Sequence, residues 1–154
     1  MHIPSGASQT IDILSFDDAL AASGRRGDYD AAEWLYVPDF YTEYRYILGT
    51  RGENPLICIG INPSTAAPGD LDNTLKSVSR IAAGNGYDSW IMFNVYAQRA
   101  TRPDDMDREL NARLHAENMR AFDRTVRPRK SFWRLPMRAR PLPKFSRSTT
   151  TRPR

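Results

Sequence analysis

Two asparagines close the two most apolar stretches of the chain. Asn62 ends the run in LICIGINPS, and Asn94 ends the run in SWIMFNVYA. An asparagine amide offers donors and an acceptor together, so a pair of them can grip a polar ligand or orient a water without committing charge. Ser64 follows Asn62 closely, and Asp70, Asp72 and Thr74 come shortly after. If the two runs are neighbouring strands, Asn62, Ser64 and Asn94 converge on one crevice with Asp70, Asp72 and Thr74 along its rim. Arg45, between Tyr44 and Tyr46, is a further candidate as an anion or phosphate contact. Each of these residues has a plainer use as well. Asn-Pro-Ser is ordinary loop chemistry, Asp72 suits a helix cap, and Arg45 could stack on a tyrosine at a sheet edge. No glycine-rich phosphate loop of the G-x-x-x-x-G-K-[ST] or G-x-G-x-x-G kind is present, and at the helix start near Asp72 the carboxylates of Asp70 and Asp72 would repel a phosphate unless a cation intervened.

The elements that must position these residues follow from periodicity. PLICIGI is a continuous apolar run of strand length, which predicts a central strand covered on both faces. DNTLKSVSRIAAGNGY predicts a helix that starts near Asp72 and ends at Gly84 or Gly86, with Leu75, Val78, Ile81 and Ala82 on its apolar face. SWIMFNVYA predicts a second buried strand, so the strand, helix, strand order supplies the crossover that parallel pairing needs. Upstream, Tyr44 to Leu48 suits a strand, and IDILSFDDALAASG a short strand followed by a helical turn. Downstream, a last helix is expected over Arg108 to Phe122, with Leu110, Leu114, Met119 and Phe122 toward the sheet. Together these predict an α/β fold: a three-layer sandwich with a mostly parallel central sheet, incomplete at its C-terminus.

At 154 residues and 17.5 kDa the chain suits one domain. The expected division is a flexible terminus over residues 1–10, a single α/β domain over 11–123 and a basic tail over 124–154. The formal net charge of +4 conceals a sharp split. Residues 1–123 carry eleven Lys and Arg against eighteen acids, and residues 124–154 carry eleven Lys and Arg with no acid. Five prolines in that tail oppose helix and sheet, so it is expected to be disordered. Such an abrupt change to Arg, Pro, Ser and Thr is what an out-of-frame reading of a GC-rich gene would produce; a functional basic arm is the alternative. No apolar run reaches membrane-spanning length and the start lacks a targeting pattern, which predicts a cytoplasmic protein with no membrane partner. One cysteine, Cys58, and two widely separated histidines predict no disulfide, metal site or cofactor.

The ordered series Tyr44-Arg45-Tyr46 with Leu48, Gly60 to Ala66, Asp72 to Leu75, Gly86-Tyr87, Asn94-Val95-Tyr96 and Arg99-Ala100-Thr101 resembles an uncharacterised bacterial family, domain of unknown function 1643. That resemblance covers roughly residues 40 to 120 and implies the α/β fold without an activity. ICIGINPSTAAPGD is similar, more distantly, to the first motif of the uracil and mismatch-specific DNA glycosylase superfamily. There the loop asparagine positions the water that attacks the sugar carbon, a role that would fall here on Asn62. The chain departs from that pattern in two ways. Ser64 stands where a Gly is usual, and no His-Pro loop follows, since His115 is the last histidine. The resemblance therefore implies a nucleobase, nucleotide or nucleic acid as ligand and, if the protein is active, N-glycosidic bond hydrolysis. The alternatives are a non-catalytic nucleic-acid-binding protein acting through its basic tail, or an inactive truncated family member.

Overall fold

In a computed structural model, the structure describes residues 12–25 and 27–126. The expected flexible terminus over 1–10 and all of the basic tail beyond residue 126 lie outside the described residues. Among the described residues there are three helices and four strands: α1 (Phe16–Ala22), β1 (Trp34–Val37), β2 (Ile47–Thr50), β3 (Pro55–Gly60), α2 (Asn73–Gly84), β4 (Ser89–Asn94) and α3 (Ala112–Val126), with a 3-10 turn at Pro103–Asp105.

The strands form one open sheet in the order β1-β2-β4-β3. β3 and β4 pair in parallel from Pro55 opposite Ser89 to Gly60 opposite Asn94, whereas β1 with β2 and β2 with β4 are antiparallel. The sheet is thus mixed, not mostly parallel. Parallel neighbours need a crossover, and the one helix that links two strands among the described residues, α2, serves the β3–β4 pair. Among the described residues β3 also lies at an edge and not in the centre: Ile59 is 62% exposed, and its other five residues are half-buried. β4 runs between β2 and β3 and is buried throughout.

β4 also shows how the core is divided. Its side chains alternate between the faces of the sheet. Ile91 and Phe93 pack with Phe16 and Ala19 of α1, Leu35, Ile47, and Leu114 and Ala121 of α3. Trp90 and Met92 pack with Leu48 and with Leu75, Val78 and Ala82 of α2. Asp72 caps α2 as expected, its carboxylate accepting from Leu75 N–H at 2.8 Å, and Gly86 with a φ of 80° lets the chain turn after the helix. Ile81, expected on the apolar face, is exposed, because the helix beds on Leu75, Val78 and Ala82.

Three other boundaries differ from expectation. The segment before α1 has no strand among residues 12–15, and Ser15 caps the helix through Asp18 N–H. The strand expected over Tyr44 to Leu48 is β2, shifted to begin at Ile47. Tyr44 instead makes an isolated bridge to Gln98, and a strand that the sequence pattern did not single out, β1, pairs with β2. The last helix starts at Ala112, where Asn111 Oδ1 accepts from Leu114 N–H, and runs to Val126; Leu110 and Met119 are exposed. No helix among the described residues is long and apolar enough to cross a membrane.

Candidate functional site

The parallel pairing of β3 and β4 continues past the strands: Val95 N–H donates to Gly60 O at 3.0 Å, Tyr96 N–H to Ile61 O at 2.9 Å and Ala100 N–H to Pro63 O at 2.9 Å. The two loops thus leave the sheet side by side at the carboxyl ends of the strands, where open sheets place their ligands.

Asn62 and Asn94 sit on these adjacent ends but are used differently. The Asn62 Nδ2 donates to Ala100 O at 2.8 Å and to its neighbour Pro63 O at 3.1 Å, stapling one loop to the other. These two bonds fix the plane of the amide. Asn94 is 6% exposed, and its Nδ2 has no partner within the described residues. Gly60 makes room for it, since a Cβ at that position would come within 2.7 Å of Asn94 Oδ1.

Behind the loop lie two arginines. Arg45 is 3% exposed and Arg99 7% exposed, and neither forms an ion pair among the described residues. Both hold the Asn-Pro-Ser loop by its carbonyls. Arg45 Nη1 donates to Ala66 O, and Arg99 Nε donates to Ser64 O at 2.9 Å. Arg99 Nη1 adds bonds to Tyr36 Oη at 3.0 Å and Tyr41 O at 3.4 Å. Arg45 Nε is left buried without a partner. Burial first, and the Arg99 charge second, lower the Arg45 pKa to about 10, while Tyr36 and Asp72 act the other way. It stays cationic at neutral pH. Arg99 also lines a cavity of about 190 Å³ with Tyr36, Tyr41, Thr65 and the carboxylate-bearing Asp39, whose Oδ1 is buried without a partner within the described residues. Buried charge is costly unless paired, and two like charges held near one another raise that cost. Backbone carbonyls and a phenol offset part of it; an anion would offset far more.

Of the residues singled out from sequence, Arg45 and Asn94 are buried with donor capacity unused, and Asn62 and Ser64 belong to the loop that the arginines hold, Ser64 through its carbonyl. Asp72 spends its carboxylate on the helix cap, and Thr74 is exposed in the first turn of α2. Arg99 and Tyr36 were not chosen as site residues. Arg99 lay within the series that carries the family resemblance, but nothing in its local pattern marked it as buried. Tyr36 carried no signal, since its strand was not expected.

No curated protein and no solved structure matches the chain significantly. A family model described as "Protein of unknown function (DUF1643)" matches residues 45–135, more than half of the chain and a span that includes Arg45, the Asn-Pro-Ser loop, Asn94 and Arg99. The chain belongs to the DUF1643 family.

Proposed function

We propose that the domain binds a nucleotide, or the phosphate of a nucleic-acid strand, in the crevice at the carboxyl ends of β3 and β4. The observation that carries this reading is the Arg45–Arg99 pair: two buried guanidinium groups that form no ion pair among the described residues, one of them with an unpartnered Nε. Asn94 Nδ2 adds a neutral donor of the kind that meets a carbonyl of a base. In this reading the fold is a three-layer α/β domain, supported by the two apolar clusters that share β4, and the protein works in the cytoplasm, in keeping with its lone cysteine.

A glycosylase-like step is the finer form of the proposal. Cleaving an N-glycosidic bond builds positive charge on the sugar and needs an oriented water. Asn62 Oδ1, fixed by the two bonds of its Nδ2, could accept a hydrogen of that water. Binding does not depend on this step. The other reading, nucleic-acid binding through the basic tail, rests on the eleven cationic residues in 124–154 and predicts steep salt dependence without base or phosphate specificity.

Thermal denaturation of the full chain separates the two. Adenosine monophosphate at about 100 times its Kd should stabilise the protein by about 2.7 kcal/mol, roughly 5–10 °C in Tm, and Arg99→Met or Arg45→Met should abolish the shift. Adenosine should give a smaller shift. Binding of single-stranded DNA that survives both substitutions and vanishes at high salt would assign binding to the tail.

A further inference from the structure

A second cavity, of about 340 Å³, opens between the segment after β4 and the start of α3, with Ala97, Gln98, Met106, Leu114 and His115 in its lining. Ala97 and Leu114 belong to the apolar cluster of Ile91 and Phe93, whereas the crevice residues Tyr36 and Ala66 belong to the cluster of Trp90 and Met92. The cavity is therefore built on the other core and does not rest on the anion reading.

Two polar groups in its wall are unsatisfied. Gln98 is 6% exposed, and its Oε1 accepts from Asp107 N–H at 3.0 Å, which fixes the orientation of the amide. Its Nε2 is then left buried with no partner, and His115 Nδ1 is buried with no partner as well. Buried polar atoms in folded proteins are nearly always hydrogen-bonded, so two orphans on one cavity call for an occupant. The volume falls at the lower end of the range for small-molecule sites. Met106, Ala97 and Leu114 give it apolar walls. Asp107, Arg108 and Glu109 also line it; the last two are exposed and opposite in sign, and Asp107 is engaged within the fold, so no uncommitted charge selects a cation or an anion.

We propose that this cavity binds a small uncharged heterocycle or aryl amide, whose carbonyl accepts from Gln98 Nε2 and whose adjacent polar atom meets His115 Nδ1. The apolar walls cover the ring, and the two side chains read one polar edge. A neutral donor and an imidazole suit a neutral ligand, because a charged one would be desolvated against two groups that carry no counter-charge for it.

The test is an NMR titration of the full chain, following the Gln98 side-chain amide and the His115 ring, with nicotinamide and uracil as probes. Nicotinate serves as the anionic isostere and benzene as the apolar control. The proposal expects nicotinamide or uracil to shift both signals while nicotinate and benzene do not. It further expects Gln98→Glu, which keeps the acceptor for Asp107 N–H, and His115→Phe each to weaken binding by about tenfold. If Gln98→Glu does not fold, His115→Phe carries the test. Signals unmoved by either probe would overturn the proposal, since waters alone would then occupy the cavity. Equal binding of benzene or nicotinate, or affinity unchanged in His115→Phe, would overturn it too.

Discussion

The two ends of the β3–β4 pair are both polar, and they use their polar groups in opposite ways. At the amino end, Asp88 accepts from Glu53 N–H at 2.8 Å, Asn54 N–H at 2.9 Å and Ser89 Oγ at 2.8 Å, and its own N–H donates to Asn54 O. That corner is closed: one carboxylate ties the loop before β3 to the start of β4. At the carboxyl end, Asn94 Nδ2 and Arg45 Nε are buried with no partner within the described residues, although the neighbouring loop is held by four side-chain bonds from Asn62, Arg45 and Arg99. A structural corner needs only enough hydrogen bonds to satisfy itself. The surplus buried donors at the carboxyl end, in an otherwise well-bonded loop, are the feature on which the proposed ligand site rests.

Four substitutions would break or sharpen this contrast, in descending order of their effect on stability. Gly60→Val places a side chain against Asn94 Oδ1 and the Met92 methyl, within 2.7 Å and 3.0 Å already at Cβ. Overpacking of this kind costs about 1–3 kcal/mol, and chemical denaturation should show it together with lost nucleotide binding. Asn62→Ala removes the staple to Ala100 O and should cost about 1–2 kcal/mol. From sequence alone the same change looks nearly silent in stability, because the staple is visible only once the two loops are side by side.

Asp88→Ala should cost about 1 kcal/mol, reduced by its exposure to solvent. It should also alter the acid limb of the stability profile. Burial would raise the Asp88 pKa, but the bonds from Ser89, Asn54 and Glu53 outweigh it and hold the carboxyl below its usual value. Its contribution is therefore complete above the unfolded-state pKa, about 3.9. As the pH falls through the folded-state pKa that contribution is lost. Denaturation followed across this range should show the wild-type advantage over Asp88→Ala disappearing below about pH 4. Asn94→Leu, of similar size, should leave stability almost unchanged, since it removes an unsatisfied buried amide, yet it should weaken nucleotide binding by about tenfold. A large loss of stability in Asn94→Leu would make the two ends alike.

Much of the fold was legible because its signals are local. Asp72 followed by Leu75 and Val78 specifies both the start and the buried face of α2, and the run from Trp90 to Phe93 announces a buried strand. What was not legible is which neighbours cover an element. PLICIG and SWIMFN read alike as apolar runs, yet one is an edge and the other lies inside the sheet, a difference set by where β2 pairs. The site followed the same rule. Asn62 and Asn94 were visible as strand ends, whereas the burial of Arg99 was not, because arginines are seldom fully buried without a partner and no local pattern marks the exception.

In the proposed function Arg45 and Arg99 form an anion site and are not loop scaffolding alone. This is tested most directly by following the arginine Nε–H signals of the full chain during titration with adenosine monophosphate, and with adenosine as the phosphate-free control. The account predicts that the nucleotide moves the Arg45 and Arg99 signals, and the Asn94 side-chain amide with them, while adenosine leaves the arginines in place. Arginine signals that ignore the nucleotide, or that adenosine moves equally, would contradict it.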